Sequence, residues 1–236
     1  SCTNSFAEAN YSVASNGTSL GGANDYTGPT NAICAGQTYG GADVVYSFTP
    51  ATTQNYRVTT SAPSYSPIVY ASSSCGVPSS CTALGTTAFN FHGTASTPVF
   101  FTVDSTSAAQ AGAHSITVAP VVGPSNDLCS SPTALSLGTP VSGSFSGAVH
   151  DLMPNAACAP GFTLSTQPEV FFSFTPATSG TYVFSETSNS DVVMWVGTAC
   201  DGSCIAFTDQ PEQLVLSLTA GQTYFFVVEP YSGATA

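Results

Sequence analysis

The chain has no lysine, and Arg57 is its only arginine. Charged residues make up 6% of its 236 positions, against about 25% in an ordinary domain, and the formal net charge is −12. Nucleic acid is thereby excluded as a partner, because phosphate binding rests on Lys and Arg neutralising phosphates and releasing counterions. Anionic membrane surfaces are disfavoured for the same reason. Lysine-based Schiff-base chemistry has no residue to carry it. A trypsin-like protease finds one site. No run is long and apolar enough to make a membrane-spanning helix. The chain opens at "SCTNSF" with no signal-peptide pattern and reads as a mature, exported polypeptide. Catalytic motifs are missing too. There is no G-x-S-x-G elbow, no H-E-x-x-H helix and no C-x2-C knuckle. The histidines, His92, His114 and His150, do not recur one repeat apart and read as loop or half-buried polar residues. The expectation is a protein that is not an enzyme.

What is present is a duplication. "DVVYSFTPATTQNYRV" begins at Asp43, and "EVFFSFTPATSGTYVF" begins at Glu169, with no gap inside the match. "NAIC" (31–34) matches "NAAC" (155–158), "SPIVYASSSC" (66–75) matches "DVVMWVGTAC" (191–200), and "TPVFFTVD" (97–104) matches "QTYFFVVE" (222–229). The offset drifts by a few residues over a whole half, so this is a tandem domain duplication rather than a short-period solenoid. The boundary falls near "APVVGPSND", giving domains 1–122 and 123–236 joined by a short, rather stiff linker.

The eight cysteines follow the repeat: Cys2 with Cys129, Cys34 with Cys158, Cys75 with Cys200, and Cys81 with Cys204. An even, duplicated set points to disulfides and an oxidising compartment. Four cysteines per half allow three pairings. Chain proximity favours Cys75–Cys81 and Cys200–Cys204, leaving Cys2–Cys34 and Cys129–Cys158.

Within each half the hydrophobic period is two. Val44, Tyr46 and Phe48 share one face, with Val45, Ser47 and Thr49 on the other, and the stretch from Val170 repeats the pattern. Pro50 and Pro176 end these strands, and Tyr56 and Tyr182 begin the next, so each stretch reads as a hairpin. Short strands separated by Gly, Pro, Asn and Ser, with no amphipathic helix, indicate an all-β chain of two antiparallel, disulfide-stapled β-sandwiches.

These residues resemble a family. Each half has an early cysteine, "GAND" or "GAVHD", a second cysteine, an acidic residue leading "VVYSFTP" or "VFFSFTP", a cysteine-closed turn, and "FFTVD" or "FFVVE". The pattern is similar to the bacterial pre-peptidase C-terminal domain, in the cysteine-bearing form repeated in surface proteins of myxobacteria-like organisms. The resemblance covers nearly the whole chain and implies a jelly-roll-like sandwich. It implies a non-catalytic domain that follows secreted peptidases and other hydrolases or forms tandem arrays, binding substrate or matrix and in some members calcium.

Three acidic positions recur: Asp25 with Asp151, Asp43 with Glu169, and Asp104 with Glu229. Carboxylates at strand ends can converge on Ca2+, with one site expected per domain, but no D-x-D-x-D-G loop is present. The alternative is that they cap turns and accept backbone N–H groups. Tyr70 and Trp195 are aligned aromatics that could form a carbohydrate platform if their sheet face is wet, or fill a core if it is not. Asn10 and Asn16 lie in N-glycan acceptor triplets.

The halves differ at one place. The first half ends in a closing strand, 115–118, with Ile116 and Val118 facing one way. Its counterpart in the second half would fall beyond Ala236. The second sandwich is therefore expected to lack a terminal strand, supplied by continuation of the chain in preference to donation from a neighbour. The overall expectation is a secreted or cell-surface structural or adhesion protein, part of a filament or coat. Its partners would be copies of itself, further repeats, or an extracellular polysaccharide or protein matrix. The alternative is a binding-module pair attached to a secreted hydrolase.

Overall fold

The structure, a computed structural model, describes residues 2, 6–8, 15–26, 28–29, 34, 37–152, 154 and 167–231. The chain is all-β and divides into two compact units, Ser1–Val122 and Gly123–Ala236.

The first unit contains β1 (Phe6–Glu8), β2 (Ser15–Thr18), β3 (Val44–Phe48), β4 (Gln54–Ser61), β5 (Pro67–Ser72), β6 (Cys81–Gly85), β7 (Ala88–Gly93), β8 (Val99–Ser105) and β9 (Ala113–Pro120). They form a five-stranded sheet in the order β1-β3-β8-β5-β6 and a four-stranded sheet in the order β2-β9-β4-β7. One hydrophobic core joins the two sheets. Tyr46, Phe48, Val69, Phe101 and Val103 come from the larger sheet, and Tyr56, Val58, Phe91, Ile116 and Val118 from the smaller. Strand β4 shows the expected period of two, with Tyr56, Val58 and Thr60 buried and Arg57, Thr59 and Ser61 exposed.

The second unit contains β10 (Thr133–Ala134), β11 (Val170–Phe174), β12 (Gly180–Ser185), β13 (Val192–Gly197), β14 (Ala206–Thr208), β15 (Gln213–Leu218) and β16 (Tyr224–Pro230). Its larger sheet, β10-β11-β16-β13-β14, repeats the order of the first unit's larger sheet. Its smaller sheet has two strands, β12 and β15. Here too one core draws on both sheets, including Phe174, Met194, Phe226, Leu214 and Leu218.

Two expectations from the sequence need correction. The repeated strand-turn-strand is not a hairpin. Strand β3 pairs with β1 and β8, whereas β4 pairs with β7 and β9 in the other sheet; β11 and β12 divide between sheets in the same way. The "TPAT" segment is an arch over the edge of the core. Its repetition has a physical reason. The Tyr56 hydroxyl donates to the Thr52 carbonyl at 2.8 Å, and Tyr182 donates to Thr178 at 2.7 Å. Across the arch, the Phe48–Tyr56 and Phe174–Tyr182 ring pairs lie 5.1 and 5.3 Å apart. The Pro50 carbonyl accepts from Ser96 N–H, and Pro176 from Gly221 N–H, at 2.8 and 2.9 Å. The Phe and Tyr side chains at fixed spacing, with two backbone carbonyls between them, lock it.

The sheets are also not wholly antiparallel. Strand β1 runs parallel to β3, and β10 parallel to β11. Each pair is separated by a long crossing connection, which parallel neighbours require.

Candidate functional site

The recurring carboxylates sit at one corner of each larger sheet. Val44 is in register with Val103, so Asp43 and Asp104 stand at adjacent strand ends. One oxygen of Asp43 accepts the backbone N–H groups of Asp25 and Tyr26 at 2.9 and 3.0 Å. Asp104 Oδ1 accepts from Gly41 at 3.1 Å and from Ser105 at 2.6 Å. Gly41 makes this approach feasible, because a Cβ there would run into the Ser105 side chain. The second unit repeats the anchor. Glu169 Oε1 accepts from Asp151 and Leu152 N–H at 2.6 and 2.5 Å. Val170 pairs with Val228, which brings Glu169 beside Glu229. Both glutamates are fully buried.

The corners differ in charge compensation. In the second unit His150 Nδ1 lies 3.0 Å from Glu169 Oε2. Burial opposes the charged imidazolium, but the Glu169 hydrogen bond and charge, with Glu229 and Asp151 behind them, outweigh it and raise the His150 pKa. One repeat earlier the chain carries Asn24. Among the described residues no side-chain cation is paired with Asp43 or Asp104. Burial and the neighbouring Asp43 charge push Asp104 up to about 6 against its two N–H bonds, and burial raises Asp43 as well.

These corners bind their own backbone. Asp43 and Glu169 fasten the 25–26 and 151–152 segments to the sheet, and Asp104 fastens Gly41. Among the described residues, the six recurring carboxylates form no group of three with ligand atoms within 4.8 Å of one another. A group of that kind is formed by Asp191, Asp209 and Glu212, which the repeat pattern did not single out. It lies on solvated loops, a common setting for acidic residues without an ion.

The aromatic platform is overturned. Tyr70 is 5% and Trp195 1% exposed. Trp195 packs with Phe171, Val227, Phe207 and Leu152 on the far face of the larger sheet, and Tyr70 packs there with Tyr39, Leu84, Cys34 and Cys81. All six residues of β5 and of β13 are buried. Their continuous apolar runs, "PIVYAS" and "VVMWVG", were the signal that both faces are covered. Asn10 lies outside the described residues; Asn16 lies in β2, opposite Ser115.

The cysteine pairing also departs from proximity. The bonds are Cys2–Cys75, Cys34–Cys81 and Cys129–Cys200, spanning 73, 47 and 71 residues. Cys204 is itself disulfide-bonded, and Cys158 lies outside the described residues. Cys81 stands opposite Ser72 in the β5–β6 register, which separates it from Cys75. The intervening turn is closed by Ser80, whose hydroxyl donates to Ser74 and Val77 carbonyls at 2.9 and 2.7 Å. Cysteines are therefore not needed there, and the bridges tie the early part of each unit to the β5–β6 or β13–β14 end of its larger sheet.

His114 was not expected as a core residue. It is buried between two hydroxyls, Tyr46 at 2.8 Å from Nε2 and Tyr65 at 3.0 Å from Nδ1. Burial lowers its pKa, so it stays neutral, with one ring nitrogen donating and the other accepting. The histidines and recurring acids thus supply no exposed nucleophile–base constellation among the described residues.

No family model and no curated protein matches the chain. Among solved structures, the CUB1-EGF-CUB2 domain of human MASP-1/3 is 10% identical over 92% of this chain and 99% of its own, with a TM-score of 0.25. The PBSX exported protein XepA is 11% identical over 85% of this chain and 88% of its own, with a TM-score of 0.23. Likenesses at that level carry no argument about fold or function. No helix among the described residues is long and apolar enough to cross a membrane.

Proposed function

We propose that this is a non-catalytic extracellular protein of tandem β-sandwich repeats, of the pre-peptidase C-terminal type, that serves as a segment of a surface filament or coat. The observation carrying this reading is that Asp43, Asp104 and Glu169, three of the recurring carboxylates, each spend one oxygen on the fold's own backbone. Asp43 and Glu169 anchor backbone amides from equivalent positions, and the described cysteines are all in disulfides. Such a chain is built for persistence outside the cell, where disulfides survive. Negative-stain microscopy of native material, with antibody labelling of this chain, tests it. Labelled filaments or sheets are expected. A labelled population that is entirely monomeric and retained on a polysaccharide or matrix column would overturn the reading in favour of a binding-module pair.

A further inference from the structure

The acidic corner of the first unit sets two carboxylates face to face. Val44 pairs with Val103, so the next positions, Asp43 and Asp104, oppose each other and project to one face of the larger sheet. Asp43 is 7% and Asp104 1% exposed. Each commits one oxygen to backbone N–H groups, Asp43 Oδ2 to Asp25 and Tyr26, Asp104 Oδ1 to Gly41 and Ser105. The other oxygens, Asp43 Oδ1 and Asp104 Oδ2, are buried and have no hydrogen-bond partner among the described residues. In the second unit the corresponding oxygen of Glu169 is taken by His150 Nδ1.

Two ionised carboxylates so placed repel each other and leave two buried acceptors without a donor. One proton removes both faults. Carried on Asp104 Oδ2, the more deeply buried residue, it makes Asp104 neutral and is donated to Asp43 Oδ1. Carboxylate dyads that cannot both ionise resolve the conflict in this way. The surroundings do not relieve it otherwise. Asp25 adds negative charge beside Asp43, and the amino-terminal charge acts in the other direction. Tyr39, Tyr65 and Tyr70 feel the Asp104 charge, and Tyr70 feels Tyr26, but burial keeps these three phenols neutral. His114, bonded to Tyr65, is neutral as well.

The backbone grips of the pair fall at the two ends of one connection. Asp43 holds Asp25 and Tyr26, Asp104 holds Gly41, and Cys34 between them is bonded to Cys81 of β6. We infer that Asp43 and Asp104 share a single proton and form an acid-closed latch, which fastens the 25–41 connection to the larger sheet and loosens as pH rises. The folded pair binds the proton and the opened corner releases it to solvent. With Asp104 raised to about 6, closure is fully supported below the ordinary carboxyl value of 3.8 and loses that support as pH rises through about 6. The latch stands whether or not the native material is filamentous.

The test uses the full chain with isotope-labelled aspartate and follows each side-chain carboxyl carbon by NMR as pH is raised. The carbons of Asp43 and Asp104 are expected to move together in two steps, with one proton kept between them over the interval. Amide exchange at Asp25, Tyr26 and Gly41, corrected for the intrinsic rate at each pH, is expected to rise about tenfold between pH 5 and pH 8. Asp43→Asn and Asp104→Asn each replace the shared proton with an amide donor, so each is expected to flatten that rise. The double variant turns two donors on each other with no acceptor and is expected to exchange faster at pH 5 than either single variant. Three results would overturn the inference. Asp104 could titrate alone, with a curve that Asp43→Asn leaves unchanged. The rise in exchange could persist in both single variants. Or millimolar Ca2+ could slow exchange at these amides at pH 5 as well as at pH 8, which would make the facing oxygens cation ligands rather than holders of a proton.

Discussion

The two units share one sheet and differ in the other. Their larger sheets have the same order, the same parallel edge strand, the same acidic corner and equivalent disulfides. Among the described residues their smaller sheets have four strands and two. The larger sheet keeps its central strands buried on both faces in both units. In the smaller sheet of the first unit β4 lies between β7 and β9 and Tyr56 is fully buried, whereas Tyr182, one repeat later, is half-buried. The acidic corner shows a subtler contrast. The second unit sets His150 against Glu169 where the first has Asn24, yet burial raises Glu169 as it raises Asp104, which reaches about 6.

The largest test of this comparison is a matched pair of truncations. Tyr56→Ala removes a fully buried ring and is expected to cost about 4 kcal/mol, whereas Tyr182→Ala, at a half-covered site, is expected to cost about 2 kcal/mol. Urea unfolding followed by hydrogen exchange resolves each unit; equal costs would mean that β12 is as well covered as β4.

Removing the Cys34–Cys81 bridge with paired serines is expected to destabilise the first unit by roughly 4 kcal/mol, from the chain entropy of a loop of that length. Non-reducing peptide mapping is expected to join Cys158 to Cys204, completing the equivalence. A Cys158 alkylated without reduction would break it.

His114→Ala leaves the buried Tyr46 hydroxyl without its partner and opens a cavity, with an expected loss of about 3 kcal/mol. The second unit, assayed by exchange in β16, is expected to be unaffected.

The pH dependence of the first unit follows from Asp104. Its folded pKa, about 6, lies above the ordinary 3.8, so the folded chain holds a proton that the unfolded chain releases. That contribution is complete below the ordinary value and is lost as pH rises through about 6. His114, with a lowered pKa, acts oppositely below its ordinary 6.5. Comparison with Asp104→Asn isolates the carboxyl. The parent chain is expected to lose stability relative to the variant between pH 4 and pH 8, by amide exchange in β8. A pH-independent difference would refute a buried, protonated Asp104.

The smallest effect concerns the arch. Ser96 and Gly221 occupy equivalent positions with φ of 62° and 76°. Ser96→Gly relieves a left-handed serine and is expected to gain about 0.5 kcal/mol, after the entropy lost by glycine. Gly221→Ala, whose Cβ meets nothing within 4 Å, is expected to lose about 1 kcal/mol through backbone conformation alone. Thermal melts of the parent and the two variants suffice.

Much of the fold was legible because duplication exposes it. A motif written twice with cysteines, prolines and strand alternation in step defines the strands of each half, and the alternation of Ile116 and Val118 marked β9 as a core strand. Partner choice was not legible. The ten residues from Ser47 to Tyr56 read equally well as a hairpin or as an arch, because period-two alternation reports which face is buried and not which strand lies alongside. The cysteines were misassigned for a related reason. Proximity along the chain measures the entropy of closing a loop, whereas the bridge that forms depends on which Cβ atoms the folded strands bring together.

The sequence by itself determined the all-β class, the two-fold repetition and the scarcity of fixed cations. These are properties of composition and period, which each segment carries locally. Only the tertiary structure decided that Trp195 is core, that Asp43 and Glu169 serve their own backbone, that cysteines join across 47 to 73 residues, and that β12 pairs with β15. Each of those depends on what lies on the other side of a strand, and that neighbour is chosen by packing and hydrogen bonding across the fold rather than by adjacent residues.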